Sequence, residues 1–297
     1  MYDLHMHSYY STDGQYTPSE LVQFCVDKGL QAMALSDHNT VEGVREACQK
    51  AQEAGIICIP AIEIDCKYEG RLFHMLGYNI NYENPVYKAI FEHVHSQEVA
   101  ASKKALKITR EMGFKVEEAE LEKLTEGTVN KGIWIGEMFA EVLLNKEEYL
   151  DDERLKPYRE GGSRGDNPYV NFYWDFYSQG KKGYVDIHYP TMRDIIQIIH
   201  ATGGIAVLAH PGQNLKEERE MVKEIIELGI DGIEVFSSYH SEEDIRYYYQ
   251  AAKEHDLLMT RGTDFHGKTK PSIHIGEFKA VGDLQPSPLE DILKGRK

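Results

Sequence analysis

Short apolar runs alternate with stretches of helical spacing near both ends of the chain, and the middle third breaks that rhythm. Residues 31–36, 56–64, 72–77, 205–209, 232–236 and 257–262 are compact apolar segments of strand length. Between them, residues 21–28, 192–201, 217–228 and 242–255 space their apolar positions three and four apart. A stretch from Thr40 to Gly55 does the same through Val41, Val44 and Ala51. Punctuation agrees with the periodicity. Thr17, Pro18 and Glu20 have the spacing of a helix start, Gly29 and Gly55 stand where helices stop, and Glu69 and Gly70 read as a hairpin turn. About seven strands, most followed by helices, predict an α/β fold: a distorted seven-stranded (β/α)7 barrel.

From residue 84 to residue 189 helical spacing dominates, over 85–112, 116–124 and 133–144. A Gly-, Arg- and aromatic-rich loop, 161–169, follows. This predicts an inserted, mainly helical subdomain (84–189) in a barrel formed by residues 1–83 and 190–297. The loop is of the kind that more often serves a function than a mere connection.

Composition narrows the function classes. No apolar segment is long enough to span a bilayer, so a soluble, cytoplasmic protein is expected. Cys25, Cys48, Cys58 and Cys66 form no C-x-x-C pair and read as small buried residues without chemistry. A net charge of −16 argues against a tight grip on long nucleic acid. Any anionic substrate then needs a local positive centre, which divalent cations would supply.

The chemistry-bearing residues gather where strands end. In Asp3-Leu4-His5-Met6-His7-Ser8, an extended backbone puts His5 and His7 on one face, and Asp13 precedes a turn at Gly14. Alone, this fits a surface strand with incidental histidines equally well. His38 follows residues 31–36, Glu63 closes 56–64, His74 lies on the hairpin return, His210 follows 205–209, and Asp264 and His266 follow 257–262. In α/β barrels, loops from all strands converge on that face. Nine such groups together point to an open, multinuclear centre of Mn, Zn or Fe, and the lack of Cys ligands argues against a structural zinc.

The combination D-L-H-x-H-S with D-G, S-D-H-N-T, the A-I-E strand, A-H-P and T-D-F-H-G resembles the polymerase-and-histidinol-phosphatase (PHP) family of metal-dependent phosphoesterases. More narrowly it resembles the TrpH-like branch, whose members carry a helical insertion. The resemblance covers residues 1–77 and 187–267. It implies a distorted seven-stranded barrel with three divalent ions: one on His5, His7, Glu63 and Asp264, a second on Glu63, His74 and His210, and a third on Asp13, His38 and His266. Asp37 would fix a ligand imidazole by a hydrogen bond. One departure stands out. Relatives often carry Arg-Pro-His where this chain has Val129-Asn130-Lys131-Gly132, although Gly180-Lys181-Lys182-Gly183-Tyr184 keeps a later element.

The expected activity is hydrolysis of a phosphate ester by a metal-activated water, with His210 or Asp264 accepting a proton. The expected substrate is a small phosphorylated compound: a nucleoside bisphosphate, the end of a short oligonucleotide or a cyclic sugar phosphate. Arg164, Lys131, Lys181 and Lys182 are candidates for gripping a second phosphate. Tyr169, Phe172 or Trp174 could stack on a base, and His240 is placed to touch substrate. The rival readings are a histidinol-phosphate phosphatase, a metal-dependent amidohydrolase and a noncatalytic metal-binding module.

Overall fold

Small apolar residues recur at every second position of the strands, and this periodicity builds a barrel whose open end carries the polar residues. The computed structural model describes residues 1–216 and 218–294. Its elements run β1 (Tyr2–Asp3), α1 (Pro18–Asp27), β2 (Ala32–Leu35), α2 (Val44–Ala54), β3 (Ile57–Tyr68) and β4 (Arg71–Tyr78). Helices α3 (Pro85–Glu111), α4 (Glu118–Leu124), α5 (Gly136–Leu144) and α6 (Pro168–Phe176) follow. The chain then continues through α7 (Met192–Ala201), β5 (Ile205–Leu208), α8 (Pro211–Asn214), α9 (Met221–Glu227), β6 (Gly232–Ser237), α10 (Glu242–Glu254), β7 (Leu258–Gly262) and α11 (Leu289–Lys294).

The seven strands pair in sequence order as one sheet. All neighbours are parallel except β4, which runs antiparallel to both β3 and β5. The sheet's two edges meet just beyond the ends of β1 and β7. There Leu4 N–H donates to Arg261 O at 3.1 Å, Asp264 N–H to His5 O at 2.8 Å, and His7 N–H to Phe265 O at 2.9 Å.

Alternation along each strand sorts its side chains. Ala32 and Ala34 of β2, Ile59 and Ala61 of β3, Leu76 and Tyr78 of β4, and Ile205 and Val207 of β5 form one buried cluster inside the barrel. Met33 and Leu35 pack outward with residues of α1 and α2, and Ile62 and Ile64 join the cluster that includes α7. Following the inner face of β3 two residues at a time from Ile59 and Ala61 leads to Glu63 and Asp65. The inner face of β4 leads from Leu76 to His74. One face thus supplies the core at one end and the ligand candidates at the other.

Close packing at that polar end leaves no room at Gly262. A Cβ there would lie 2.1 Å from the Cβ of His5 and 2.4 Å from Oε1 of Glu234. Gly262→Ala is therefore expected to destabilise the fold by about 3 kcal/mol, the upper end for overpacking a core. Urea unfolding with and without added metal measures it.

Several local expectations change. Helix α2 starts at Val44 rather than Thr40, whose hydroxyl accepts the Glu42 N–H in a preceding turn. Helix α9 starts at Met221, and the expected start at Glu217 lies outside the described residues. The stretch after residue 167 is helical because Pro168 sits at the first position of α6. Helices α3 to α6 share a hydrophobic cluster drawn wholly from residues 105–185, including Phe114, Phe139, Tyr158, Phe172 and Tyr177. Cys25 and Cys66 are buried, but Cys48 and Cys58 are half-buried free thiols with their sulfurs 3.1 Å apart. No helix among the described residues is long and apolar enough to cross a membrane.

Candidate metal centre

Five imidazoles converge on Glu63. Its Oε1 stands 3.1 Å from His74 Nδ1 and 3.1 Å from His210 Nε2. Its Oε2 faces His5 Nε2 at 3.1 Å, His7 Nε2 at 3.2 Å and His38 Nδ1 at 3.4 Å. Asp264 Oδ1 approaches His7 Nε2 at 3.0 Å and His5 Nε2 at 3.2 Å. His266 Nε2 lies 2.9 Å from Asp13 Oδ2, and His38 Nε2 lies 3.9 Å from the same oxygen. All nine candidate ligands thus come together. They fall into overlapping groups compact enough for single ions: His5, His7, Glu63 and Asp264; Glu63, His74 and His210; and His7, Asp13, His38 and His266.

The donor set fits divalent cations. His5 Nδ1–H donates to Glu234 Oε1 at 2.9 Å and His7 Nδ1–H to Ser11 Oγ at 3.2 Å. Their Nε2 atoms, 3.1 Å apart, then present lone pairs to each other. When both rings are neutral that contact is repulsive, and a proton on His5 Nε2 or a cation between the rings relieves it. His210 Nδ1 is likewise engaged by Asn214 Oδ1 at 3.0 Å and His266 Nδ1 by the Asp264 carbonyl at 2.8 Å, so each directs Nε2 inward. Among the buried polar atoms without a hydrogen-bond partner are Asp13 Oδ1, Glu63 Oε2, Asp65 Oδ1, Asp264 Oδ1, His38 Nδ1 and His266 Nε2. Orphans of this kind are costly unless an ion satisfies them.

The electrostatics follow from burial and crowding. Burial opposes the charged form of Glu63, yet His5, His38 and His74 hold its carboxyl well below the usual range. Burial likewise opposes charging His5, but Glu63, Glu234 and Asp264 hold it well above an ordinary imidazole. His266 is pushed down to about 4, chiefly by burial.

Other expected roles are reassigned. Asp37 hydrogen-bonds to Ser8 and not to an imidazole: it accepts the Ser8 N–H at 2.6 Å and the Ser8 hydroxyl at 2.7 Å, fixing the turn after His7. The residue that orients ligands is Glu234, whose Oε1 takes His5 Nδ1–H while Oε2 accepts the His210 N–H at 2.9 Å. Glu234→Gln is expected to weaken metal affinity 10- to 100-fold, the usual cost of losing such a partner, as measured by calorimetric titration.

A cleft of about 280 Å³ opens above this floor, between the barrel and helices α3, α5 and α6. Trp134, Tyr173, Trp174, Tyr177, Tyr184 and Tyr189 contribute to its walls, with Asp13, His38, His74, His210 and Asp264 at the polar end. Lys131, Lys181 and Lys182 are exposed and do not line it. Arg164 is committed elsewhere, gripping Asp175 through Nε at 3.0 Å and Nη2 at 2.9 Å. His240 is fully buried, its Nδ1–H donating to Val235 O and its Nε2 accepting from Gly212 N–H, so it shapes the fold rather than the cleft. Of the expected aromatics, Trp174 lines the cleft, Phe172 is buried in the insertion core, and Tyr169 faces a neighbouring pocket beside Gly14.

Sequence reasoning missed four cleft groups. Lys270 donates to Asp264 Oδ2 at 2.6 Å, and Tyr239 O–H donates to the same oxygen at 2.5 Å. Glu98 and Glu137 reach the cleft from α3 and α5, and burial pushes their carboxyls up to about 7 and about 8. Among the described lining residues, Lys270 is the sole Lys or Arg.

Comparison with known proteins agrees with this geometry. The PHP domain profile matches residues 3–160. A 5'-3' exoribonuclease of Haemophilus influenzae is 30% identical over 272 residues, 89% of each chain. A phosphoribosyl 1,2-cyclic phosphate 1,2-diphosphodiesterase of Eggerthella lenta is 27% identical, covering 92% of this chain and 97% of that one. A 3',5'-nucleoside bisphosphate phosphatase of Chromobacterium violaceum is 27% identical, covering 96% of this chain and 92% of that one. With the motifs, the barrel and the ligand cluster in agreement, the chain belongs to the PHP family.

Proposed function

We propose that this protein hydrolyses a phosphate ester of a small, ring-bearing compound at a centre of three divalent ions, with a nucleotide as the leading substrate class. The enzyme class is metal-dependent phosphoesterase, in keeping with the activities of the three relatives. The first ion would sit on His5, His7, Glu63 and Asp264, the second on Glu63, His74 and His210, and the third on Asp13, His38 and His266. When bound, the ions supply Lewis acidity: they neutralise phosphoryl oxygens and make water a competent nucleophile near neutral pH.

The chain's own residues do the rest. Glu234, Ser11 and Asn214 fix ring orientations, so that Nε2 of His5, His7 and His210 faces inward. Lys270 and Tyr239 saturate Asp264 Oδ2, which leaves Oδ1 as the free oxygen toward the rings. Of the two residues expected to accept a proton, neither has an atom to spare: Asp264 Oδ1 faces His5 and His7 as a ligand atom, and His210 Nε2 is turned to Glu63. Lys270 places a positive charge at the cleft wall where a leaving oxygen would gain charge.

One observation carries the reading: unpartnered carboxylate oxygens and inward-facing ring nitrogens form the floor of a cleft with aromatic walls. Rings stack on such walls, and phosphate meets the floor. Among the described lining residues Lys270 is the sole Lys or Arg, and it is already paired with Asp264, so an ester with a single phosphate at the metals ranks ahead of a bisphosphate. The test is phosphate release by the metal-loaded protein from four classes: a nucleoside 5'-monophosphate, its 3',5'-bisphosphate, a 5'-phosphorylated dinucleotide and a ribose cyclic phosphate. Histidinol phosphate and an amide series serve as rivals. The bisphosphate is expected to show no higher kcat/KM than the monophosphate; turnover of amides alone would contradict the assignment.

A further inference from the structure

Asp65 stands two residues beyond Glu63 on the same face of β3 and reaches the centre from a side that no motif marks. Its carboxylate is held by a two-point clamp. Asn39 Nδ2 donates to Asp65 Oδ2 at 2.8 Å, and Asn39 Oδ1 accepts the Asp65 N–H at 3.0 Å. Asn39 adopts a left-handed backbone, φ +58°, to turn back in this way. The clamp leaves Oδ1 fixed and without a hydrogen bond in a residue only 7% exposed.

That oxygen lies 3.3 Å from His38 Nδ1 and 3.3 Å from His74 Nε2. Both contacts lie at ion-pair distance, and neither Asp65 Oδ1 nor His38 Nδ1 makes a hydrogen bond of good geometry. Two ring nitrogens and a fixed carboxylate oxygen at this spacing fit one shared ion. Donors that each reach about 2.0–2.2 Å to one ion stand roughly 3 to 3.5 Å apart. The three side chains meet the same compactness as the other ligand groups.

We propose that Asp65 is itself a metal ligand, forming with His38 and His74 a coordination position beyond the three already described. The inference rests on the reading of this cluster as a metal centre. His38, Asp65 and His74 all line the cleft, whereas His5, His7 and Glu63 do not, so an ion here faces the substrate. The same rings turn their other nitrogens to neighbouring positions: His74 Nδ1 to Glu63 Oε1 at 3.1 Å, and His38 Nε2 to Asp13 Oδ2 at 3.9 Å. A neutral imidazole offers one lone pair, so an ion on Asp65 draws these rings from the ions on either side. The position is therefore the weakest and most exchangeable of the centre.

Crystals of the wild-type protein soaked in Mn2+ test this directly by anomalous scattering. A peak within about 2.5 Å of Asp65 Oδ1 is expected. Peaks at the His5, His7 and Glu63 group with every ion more than about 3 Å from Asp65 would overturn the Asp65 assignment alone, and no peak anywhere in the cluster would overturn the metal-centre reading beneath it. In solution, Asp65→Asn and Asp65→Ala should weaken the lowest-affinity Mn2+ step at least tenfold in calorimetric titration and leave the tightest step unchanged. Equal weakening of every step would assign Asp65 a general structural role instead.

Discussion

Replacing Glu63 by glutamine is expected to lower kcat/KM for phosphate release by about a thousandfold or more, equivalent to ~4 kcal/mol of transition-state stabilisation. Glu63 contributes to two of the three ligand groups, and its two oxygens are divided between them. Oε1 serves the His74 and His210 side, and Oε2 the His5 and His7 side. Glutamine keeps the volume, so the barrel core below is undisturbed. It removes the charge and puts N–H donors where lone pairs are needed. Two ions are weakened together, which is why the effect should exceed that of Glu234→Gln, where only the orientation of His5 and the His210 backbone is at stake. Atomic absorption on the purified variant, beside its kinetics, separates loss of metal from loss of chemistry.

Chelation is expected to abolish activity and also to lower the melting temperature. The folded centre binds ions that the unfolded chain holds far less well, so each ion present at 100 times its dissociation constant stabilises the native state by about 2.7 kcal/mol. Stripping even one should lower the melting temperature by on the order of 5 °C for a chain of this size. Without ions, the orphaned oxygens of Asp13, Glu63, Asp65 and Asp264 are left facing imidazoles in a buried space. Adding back Mn2+, Zn2+ or Fe2+ should restore both properties, and the ion that does so at the lowest concentration is the preferred one. Acidification should mimic chelation, because an imidazole binds an ion only when that nitrogen is free of a proton. Differential scanning fluorimetry and phosphate release on the same samples check both halves.

The barrel and the ligand cluster were legible because local patterning and chemistry coincide in them. Apolar runs of strand length ended in His, Asp or Glu, and the barrel's geometry brings those ends together. Asp65 obeys the rule that pairs His5 with His7, a two-residue spacing on one strand face, but the strand was read as ending at Ile64, whereas β3 continues to Tyr68. Glu234 was visible as a charge within an apolar run, a sign of a buried and partnered acid. Asp37, expected to fix a ligand imidazole, turns instead to Ser8, a partner that its position in the motif does not reveal. The basic residues of the insertion were misplaced for another reason. Charge and glycine content mark a loop as exposed without saying which way it faces, and Arg164 is captured by Asp175 from the next helix. The cleft's own cation, Lys270, lies beyond the last motif, and nothing in its sequence context marks it.

Release of inorganic phosphate or a phosphorylated product by the purified, metal-loaded protein tests most directly whether this centre hydrolyses phosphate esters. The expected result is turnover of at least one nucleotide or cyclic phosphate ester that vanishes on chelation, returns with a divalent ion and is lost in Glu63→Gln. A protein that binds its full complement of metal and leaves every phosphate ester intact, or that cleaves amides in their place, would contradict it.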